Sequence, residues 1–182
     1  MDKNLRPIWL LDVDGVINAL CAPKTWDEHK EGIAHLDDGS YKICWSEELI
    51  RAIELINEQD VEVRWLTTWG HYANEVLRPL VGLEEEFPVQ AEPVYSSGYG
   101  GASLSYTTFD WKYMAVLEVL EEGRPIIWTD DDAWTESMLA ELTEKAGEIP
   151  ILTIKPYALD GLSRNDIEII KSWVIQVTSQ GE

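Results

Sequence analysis

Asp12 and Asp14 stand one residue apart in the stretch WLLDVDGVIN, residues 9–18, directly after an apolar run and beside a glycine. Burying carboxylates at the end of an apolar strand costs several kcal/mol unless something compensates. Further groups with chemical capacity follow. Thr67 and Thr68 close the run VEVRWL, Lys112 sits in DWKYM, and Asp130, Asp131 and Asp132 follow IIWT. Four or five carboxylates converging on one edge repel each other unless a cation sits among them, and oxygen-only ligation suits a hard ion, Mg2+ above others. Threonine hydroxyls with exposed backbone N–H groups can hold phosphate oxygens. The lysine ammonium can pair with an incoming anion.

These residues need a scaffold that brings them together, and the chain patterning supplies one. Ile8–Val13 is a short apolar run, as expected of a strand covered on both faces. Ser46 reads as the cap of a helix to about Glu58, with Leu49, Ile53 and Ile56 on its apolar face. Val61–Leu66 reads as a second strand and Tyr72–Leu80 as a helix stopped at VGL. Asp110 reads as the N-cap of a helix over Trp111–Glu122, ended by Gly123. That start places Lys112 in the first turn, where a cation opposes the helix dipole by about 0.3–1 kcal/mol. Pro125–Thr129 is a third strand, Thr135–Lys145 a helix and Ile149–Ile154 a fourth strand. The last helix starts at Ser163, where SRND reads as a capping box with Asp166 in place of the usual glutamate.

Strands alternating with helices of this length imply βαβ units, a parallel sheet and an α/β fold, with ligands at the carboxyl ends of the strands. Residues 19–45 have mixed polarity, no helical period and a DDG turn at Asp37–Gly39, so they read as an irregular, flap-like insertion with room for a hairpin. Val89–Thr108 contains SSGYGGAS, a flexible loop by composition. The length predicts one domain over residues 1–182, able to bury roughly 70% of its unfolded surface.

The order Asp-x-Asp, Thr, Lys, Asp-Asp resembles the motifs of the haloacid dehalogenase superfamily of phosphohydrolases. WLLDVDGVIN looks like its first motif, VRWLTT its second, Lys112 in DWKYM its third and IIWTDDD its fourth. Together with GLS near the end, WLTTWG and WTDDDAW are also similar to phosphatase domains associated with RNA-repair proteins. The resemblance spans essentially the whole chain. It implies a Rossmann-like three-layer sandwich with a small cap or none, and a Mg2+-dependent phosphomonoesterase. Asp12 would be the nucleophile that forms an aspartyl-phosphate, and Asp14 the acid and then the base. Thr67, Thr68 and Lys112 would hold the phosphoryl oxygens. The metal would be held by Asp12, the backbone carbonyl of Asp14, and Asp130, with Asp131 adjacent.

Other classes fit less well. A non-catalytic phosphoacceptor of the receiver type collects similar residues, but there the lysine follows the acidic pair and the threonine. EF-hand ligation fails because DVDG lacks a third ligand before its glycine, and no phosphate-binding Gly-x-x-x-x-Gly-Lys-Ser/Thr is present. His29, His35 and His71 show no zinc spacing.

Fourteen basic against 34 acidic residues give a net charge of −20, which argues against strong non-specific binding to nucleic acid. No apolar run approaches a membrane span and no basic-then-apolar leader precedes the first strand, so a cytoplasmic location with Cys21 and Cys44 as free thiols is expected. Trp9, Trp65 and Trp128 sit in apolar runs and read as core. About 30 residues separate Asp14 from Ser46 and about 43 separate Thr68 from Lys112, too few for a large lid. An open site of this kind suits a nucleotide, a nucleic-acid end or a phosphometabolite, with Trp26, Trp45 and Trp69 placed to stack on a base or sugar or to pack internally.

Overall fold

Four short strands, apolar at the positions that face the cores, build the centre of the molecule. The computed structural model describes residues 6–59, 61–93 and 107–179, with the backbone alone for residues 107–110. Strands β1 (Ile8–Leu11), β4 (Glu62–Trp65), β5 (Ile126–Thr129) and β6 (Ile151–Ile154) form one sheet in the order β4-β1-β5-β6, every pair parallel. Their carboxyl ends are level: Leu11 pairs with both Trp65 and Thr129, and Thr129 with Ile154. The first residue past each end still joins the ladder, since Asp12 N–H donates to the Thr129 carbonyl and Asp130 N–H to the Ile154 carbonyl, each at 3.2 Å. Adjacent strands in register therefore deliver Asp12 and Asp130 side by side.

Alternate strand residues feed two cores. Trp9, Leu11, Val63, Trp65 and Ile127 pack against helices α1 (Glu47–Glu58) and α5 (Arg164–Ser179). Ile8, Leu10, Ile126 and Trp128 pack against α3 (Thr107–Leu120) and α4 (Glu136–Ala146). The result is a mixed α/β fold with helices on both faces of a parallel sheet, compatible with the expected Rossmann-like layering. Trp9, Trp65 and Trp128 are fully buried, as their apolar context implied. No helix among the described residues is long and apolar enough to cross a membrane.

The caps follow local chemistry. The Ser46 hydroxyl accepts from Glu48 N–H at the start of α1, and that of Thr135 from Met138 N–H at the start of α4. Ser163 and Asp166 bond reciprocally, Ser163 N–H to Asp166 Oδ2 and Asp166 N–H to Ser163 Oγ, which is the expected capping box.

Two helix expectations need correction. The backbone is already helical at Thr107, so Asp110 lies inside α3 and does not cap it. An aspartate suits the positive first turn as well as the cap itself, so composition alone could not separate the two. Lys112 therefore sits in the second turn, beyond the reach of the end dipole. Over Tyr72–Leu80 the chain forms a π-helical turn, Ala73–Leu77, followed by the short α2 (Arg78–Val81), with Arg78 N–H bonding to the Ala73 carbonyl. Pro79 has no N–H and its ring crowds the carbonyl four residues back, which favours the wider winding.

Residues 19–45 contain a β-hairpin, β2 (Lys30–Leu36) and β3 (Gly39–Trp45), turning at Asp37 and Asp38. Ala34, Ile43 and Trp45 anchor it in the first core. The segment SSGYGGAS lies outside the described residues.

Candidate active site

The loop after β1 turns tightly on itself. Ile17 and Asn18 N–H both reach the Val13 carbonyl, while Val13, Val16 and Ile17 are buried beneath. Gly15 takes φ +69°, and a Cβ placed there would lie 2.4 Å from Asp131 Cγ. Glycine is required on both counts, by the left-handed backbone and by the close approach of the β5 loop. Gly161 plays a supporting part. Its φ is +67°, and a Cβ there would meet the Val16 carbonyl oxygen at 2.6 Å. Leu162 N–H bonds that same oxygen at 2.9 Å, so the GLS segment braces the loop after β1 from behind.

Asp12 is 5% exposed, Asp130 0% and Lys112 4%. Lys112 Nζ donates to Asp12 Oδ2 at 2.7 Å and to Asp130 Oδ2 at 2.6 Å. The remaining oxygens are held by backbone: Asp12 Oδ1 accepts from Val13 N–H, and Asp130 Oδ1 from Asp132 and Ala133 N–H. Two buried carboxylates thus share one ammonium, which leaves one surplus negative charge when both are ionised.

The titration behaviour follows from this imbalance. Burial disfavours the charge on Lys112, but Asp12 and Asp130 more than reverse it and hold the ammonium above the ordinary lysine range. Burial raises the Asp130 carboxyl, the Asp12 charge raises it further, and Lys112 opposes both without cancelling them. Asp131 is pushed up to about 6 by burial and by the charges of Asp132 and Asp12. Carboxylate oxygens of Asp12, Asp130 and Asp131 all lie within 4.8 Å of one another. An all-oxygen donor set with excess negative charge fits a hard divalent cation.

Asp14 is fixed beside this group by two donors, Asn18 Nδ2 at 2.7 Å to Oδ1 and Trp69 Nε1 at 2.8 Å to Oδ2. A cavity of about 220 Å³ is lined by Asp12, Asp14, Thr68, Lys112, Asp131 and Asp132 among others. Of the two threonines, Thr68 lines this cavity. Thr67 is fully buried, and its hydroxyl accepts from Trp69 N–H at 3.3 Å, fixing the turn that presents Thr68. The chain therefore brings Asp12, Asp14, Thr68, Lys112, Asp130 and Asp131 to one place, with Thr67 directly behind.

Several features lay outside the sequence reading. Asn18, which orients Asp14, also accepts from Cys44 N–H at 2.9 Å and so ties the hairpin to the loop after β1. A second cavity, about 290 Å³, shares Asp14 and Thr68 with the first and runs up to the hairpin tip. Its hairpin residues were legible only as a turn. Trp26, Trp45 and Trp69 are all buried in the first core; of the three Trp69 lines this cavity, while Trp26 bonds the Leu162 carbonyl. A separate group, His29, Glu31 and Cys44, has ligand atoms within 4.8 Å of one another, brought together by the cross-strand pairing of Glu31 with Cys44. Lys42 already occupies Glu31 at 2.7 Å there. Cys21 and Cys44 are both free thiols.

Comparisons of the chain with family models, with curated proteins and with solved structures gave no match.

Proposed function

We propose that this chain is a metal-dependent phosphomonoesterase of the haloacid dehalogenase type, acting through an aspartyl-phosphate on Asp12. The observation that carries the reading is the buried Lys112 bridge between Asp12 and Asp130, opening on a cavity that Asp14 also lines. A structural ion pair needs one partner for each charge. Here the excess of carboxylate points instead to a cation and an anionic substrate meeting at this point.

The chemistry follows from the positions. An Asp12 oxygen attacks phosphorus, the bond from phosphorus to the ester oxygen breaks, and Asp14 gives its proton to the departing alcohol. Asp14 then takes a proton from water, whose oxygen attacks the same phosphorus. The bond between phosphorus and Asp12 breaks, leaving inorganic phosphate and a free Asp12 carboxylate. Lys112 keeps its proton throughout and faces the phosphoryl oxygens as a preorganised positive charge. Thr68, which lines the same cavity, contributes hydrogen bonds, with Thr67 stiffening its turn. Asp12, Asp130 and Asp131 would hold Mg2+, whose chemistry when bound is to neutralise charge between the nucleophile and the phosphate.

Purified protein should hydrolyse p-nitrophenyl phosphate with MgCl2 present and lose that activity with EDTA. Asp12→Asn should reduce kcat to background while leaving the circular dichroism spectrum unchanged. Retention of substantial turnover in that variant would remove Asp12 from the chemistry. A protein that takes up phosphate from acetyl phosphate but turns over no ester would be a phosphoacceptor.

A further inference from the structure

The cavity of about 290 Å³ begins at Asp14, where the leaving group must sit if the phosphatase reading holds, and ends at the hairpin tip. Its charged lining is uniform: Asp14, Asp37 and Asp38 are acidic, and no lysine, arginine or histidine lines it among the described residues. Three aromatic rings complete the wall. Tyr72 donates its hydroxyl to Asp37 Oδ2 at 2.8 Å and Tyr41 to Asp38 Oδ2 at 3.0 Å, so each phenol steadies one carboxylate. A carboxylate has about four lone-pair positions, and a single phenol leaves others for a ligand. The Trp69 indole N–H is committed to Asp14, and Tyr41 meets its ring edge-on, with centroids 6.0 Å apart. Trp69, only 5% exposed, therefore offers the cavity a strip of ring surface and not a donor.

Carboxylates and aromatic faces share one preference. Both attract cations, the rings through their negative π faces, and both disfavour anions. A second phosphate next to the scissile one, as in a nucleic-acid end, would lie among three carboxylates in a protein of net charge −20. An organic cation would meet carboxylates at both ends of the cavity, with aromatic rings between them.

We propose that this cavity binds the alcohol part of the substrate and that this alcohol carries an organic ammonium group, making the substrate class phosphate monoesters of amino alcohols. The inference rests on the phosphatase reading, because the ester oxygen must lie at Asp14. The hairpin then acts as a selectivity wall. Asn18 joins it to the catalytic acid, bonding Asp14 with its amide nitrogen and Cys44 N–H with its amide oxygen.

The test compares trimethylammonioalkyl phosphates of increasing chain length, phosphocholine first, with neutral isosteres in which carbon replaces nitrogen. 3′- and 5′-phosphorylated oligonucleotides and p-nitrophenyl phosphate complete the set. At the best length the cationic ester should exceed its isostere in kcat/KM by roughly tenfold or more. In the double variant Asp37→Asn, Asp38→Asn that ratio should fall towards one. Equal turnover of cation and isostere at every length, or a preference for the oligonucleotides, overturns the inference and leaves the phosphatase reading standing. Hydrolysis of none of the esters, p-nitrophenyl phosphate included, overturns that reading and the inference with it.

Discussion

Lys112 Nζ lies 2.7 Å from Asp12 Oδ2, a buried contact between residues 100 positions apart in the chain. It joins the second turn of α3 to the end of β1, and the same ammonium reaches Asp130 at the end of β5. One cation thereby ties together the strand ends on which the proposed chemistry stands.

Removing that cation by Lys112→Met should hurt both stability and catalysis. Two buried carboxylates would be left without a partner, a change that typically costs about 3–5 kcal/mol. For a chain of this size that corresponds to a fall in Tm of roughly 6–20 °C, at about 2–4 °C per kcal/mol. Loss of a preorganised charge at the phosphoryl oxygens should lower kcat by about 100- to 1,000-fold. Thermal melts together with p-nitrophenyl phosphate kinetics check both. A variant as stable and as active as the parent would make Lys112 irrelevant to the site.

Asp130→Asn tests the surplus charge. It leaves Lys112 paired with Asp12 alone and removes one carboxylate of the proposed metal group. Without added metal the relieved repulsion from Asp12 opposes the loss of the buried Lys112 contact, so variant and parent should melt close together. With MgCl2 at about 100 times its dissociation constant, the parent should gain about 2.7 kcal/mol, a rise of roughly 5–11 °C. The variant should gain little. An equal magnesium-dependent rise in both proteins would move the cation away from Asp130.

Much of this arrangement was legible in the chain. The short strands alternating with helices announced a parallel sheet, and level strand ends follow from its register. Asp12 stood out because an apolar strand runs straight into it, and Asp14 and Asp130 by their places at strand ends and in the motif order. Lys112 stood out through a helix start that the structure moves back to Thr107. The hairpin cavity did not stand out, because Asp37 and Asp38 obey the rules of a turn and acquire significance only where Tyr72 and Trp69 fold against them. The start of α3 was misplaced for a related reason: Asp110 suits a cap and a first turn equally. Thr67 and Thr68 are alike in sequence. Burial separates them, and burial is a property of the packed loop.

Gly15→Ala should act through Asp131. The new methyl would overlap Asp131 Cγ, and the φ of +69° would carry a left-handed backbone cost of about 1–2 kcal/mol. The remaining turn bonds, such as Gly15 N–H to the Asn18 carbonyl, are compatible with alanine, so the protein should still fold. Displacing Asp131 should raise the magnesium concentration needed for half-maximal activity by about tenfold, the scale on which mispositioned metal ligands act. Activity measured against MgCl2 concentration checks this, and an unchanged midpoint would place Asp131 outside the metal site.

Towards the amino-terminal ends of β4 and β5 a balanced ring offers a contrast, two arginines facing two glutamates. Arg64 reaches both oxygens of Glu122, at 2.6 and 3.0 Å, and Glu62 at 2.7 Å, while Arg124 closes the ring to Glu62 at 2.6 Å and Glu122 at 3.1 Å. Hydrogen bonding from Arg64 holds the Glu122 carboxyl below its ordinary value of 4.5. Burial pushes Glu62 the other way, but Arg64 and Arg124 outweigh it and lower that group too. Carboxyls lowered in the folded state stabilise it at pH values above 4.5, and that contribution disappears as pH falls through the folded values. Glu122→Gln should therefore cost about 1 kcal/mol or less at pH 7, since these side chains are about one-third exposed. The deficit should shrink steadily below pH 4.5. Urea midpoints of the two proteins across that range measure it, with kcat at pH 7 unchanged because the ring lies at the far end of the strands from Asp12. A deficit that stays constant into acid would mean that Glu122 acts there through packing and not through its charge.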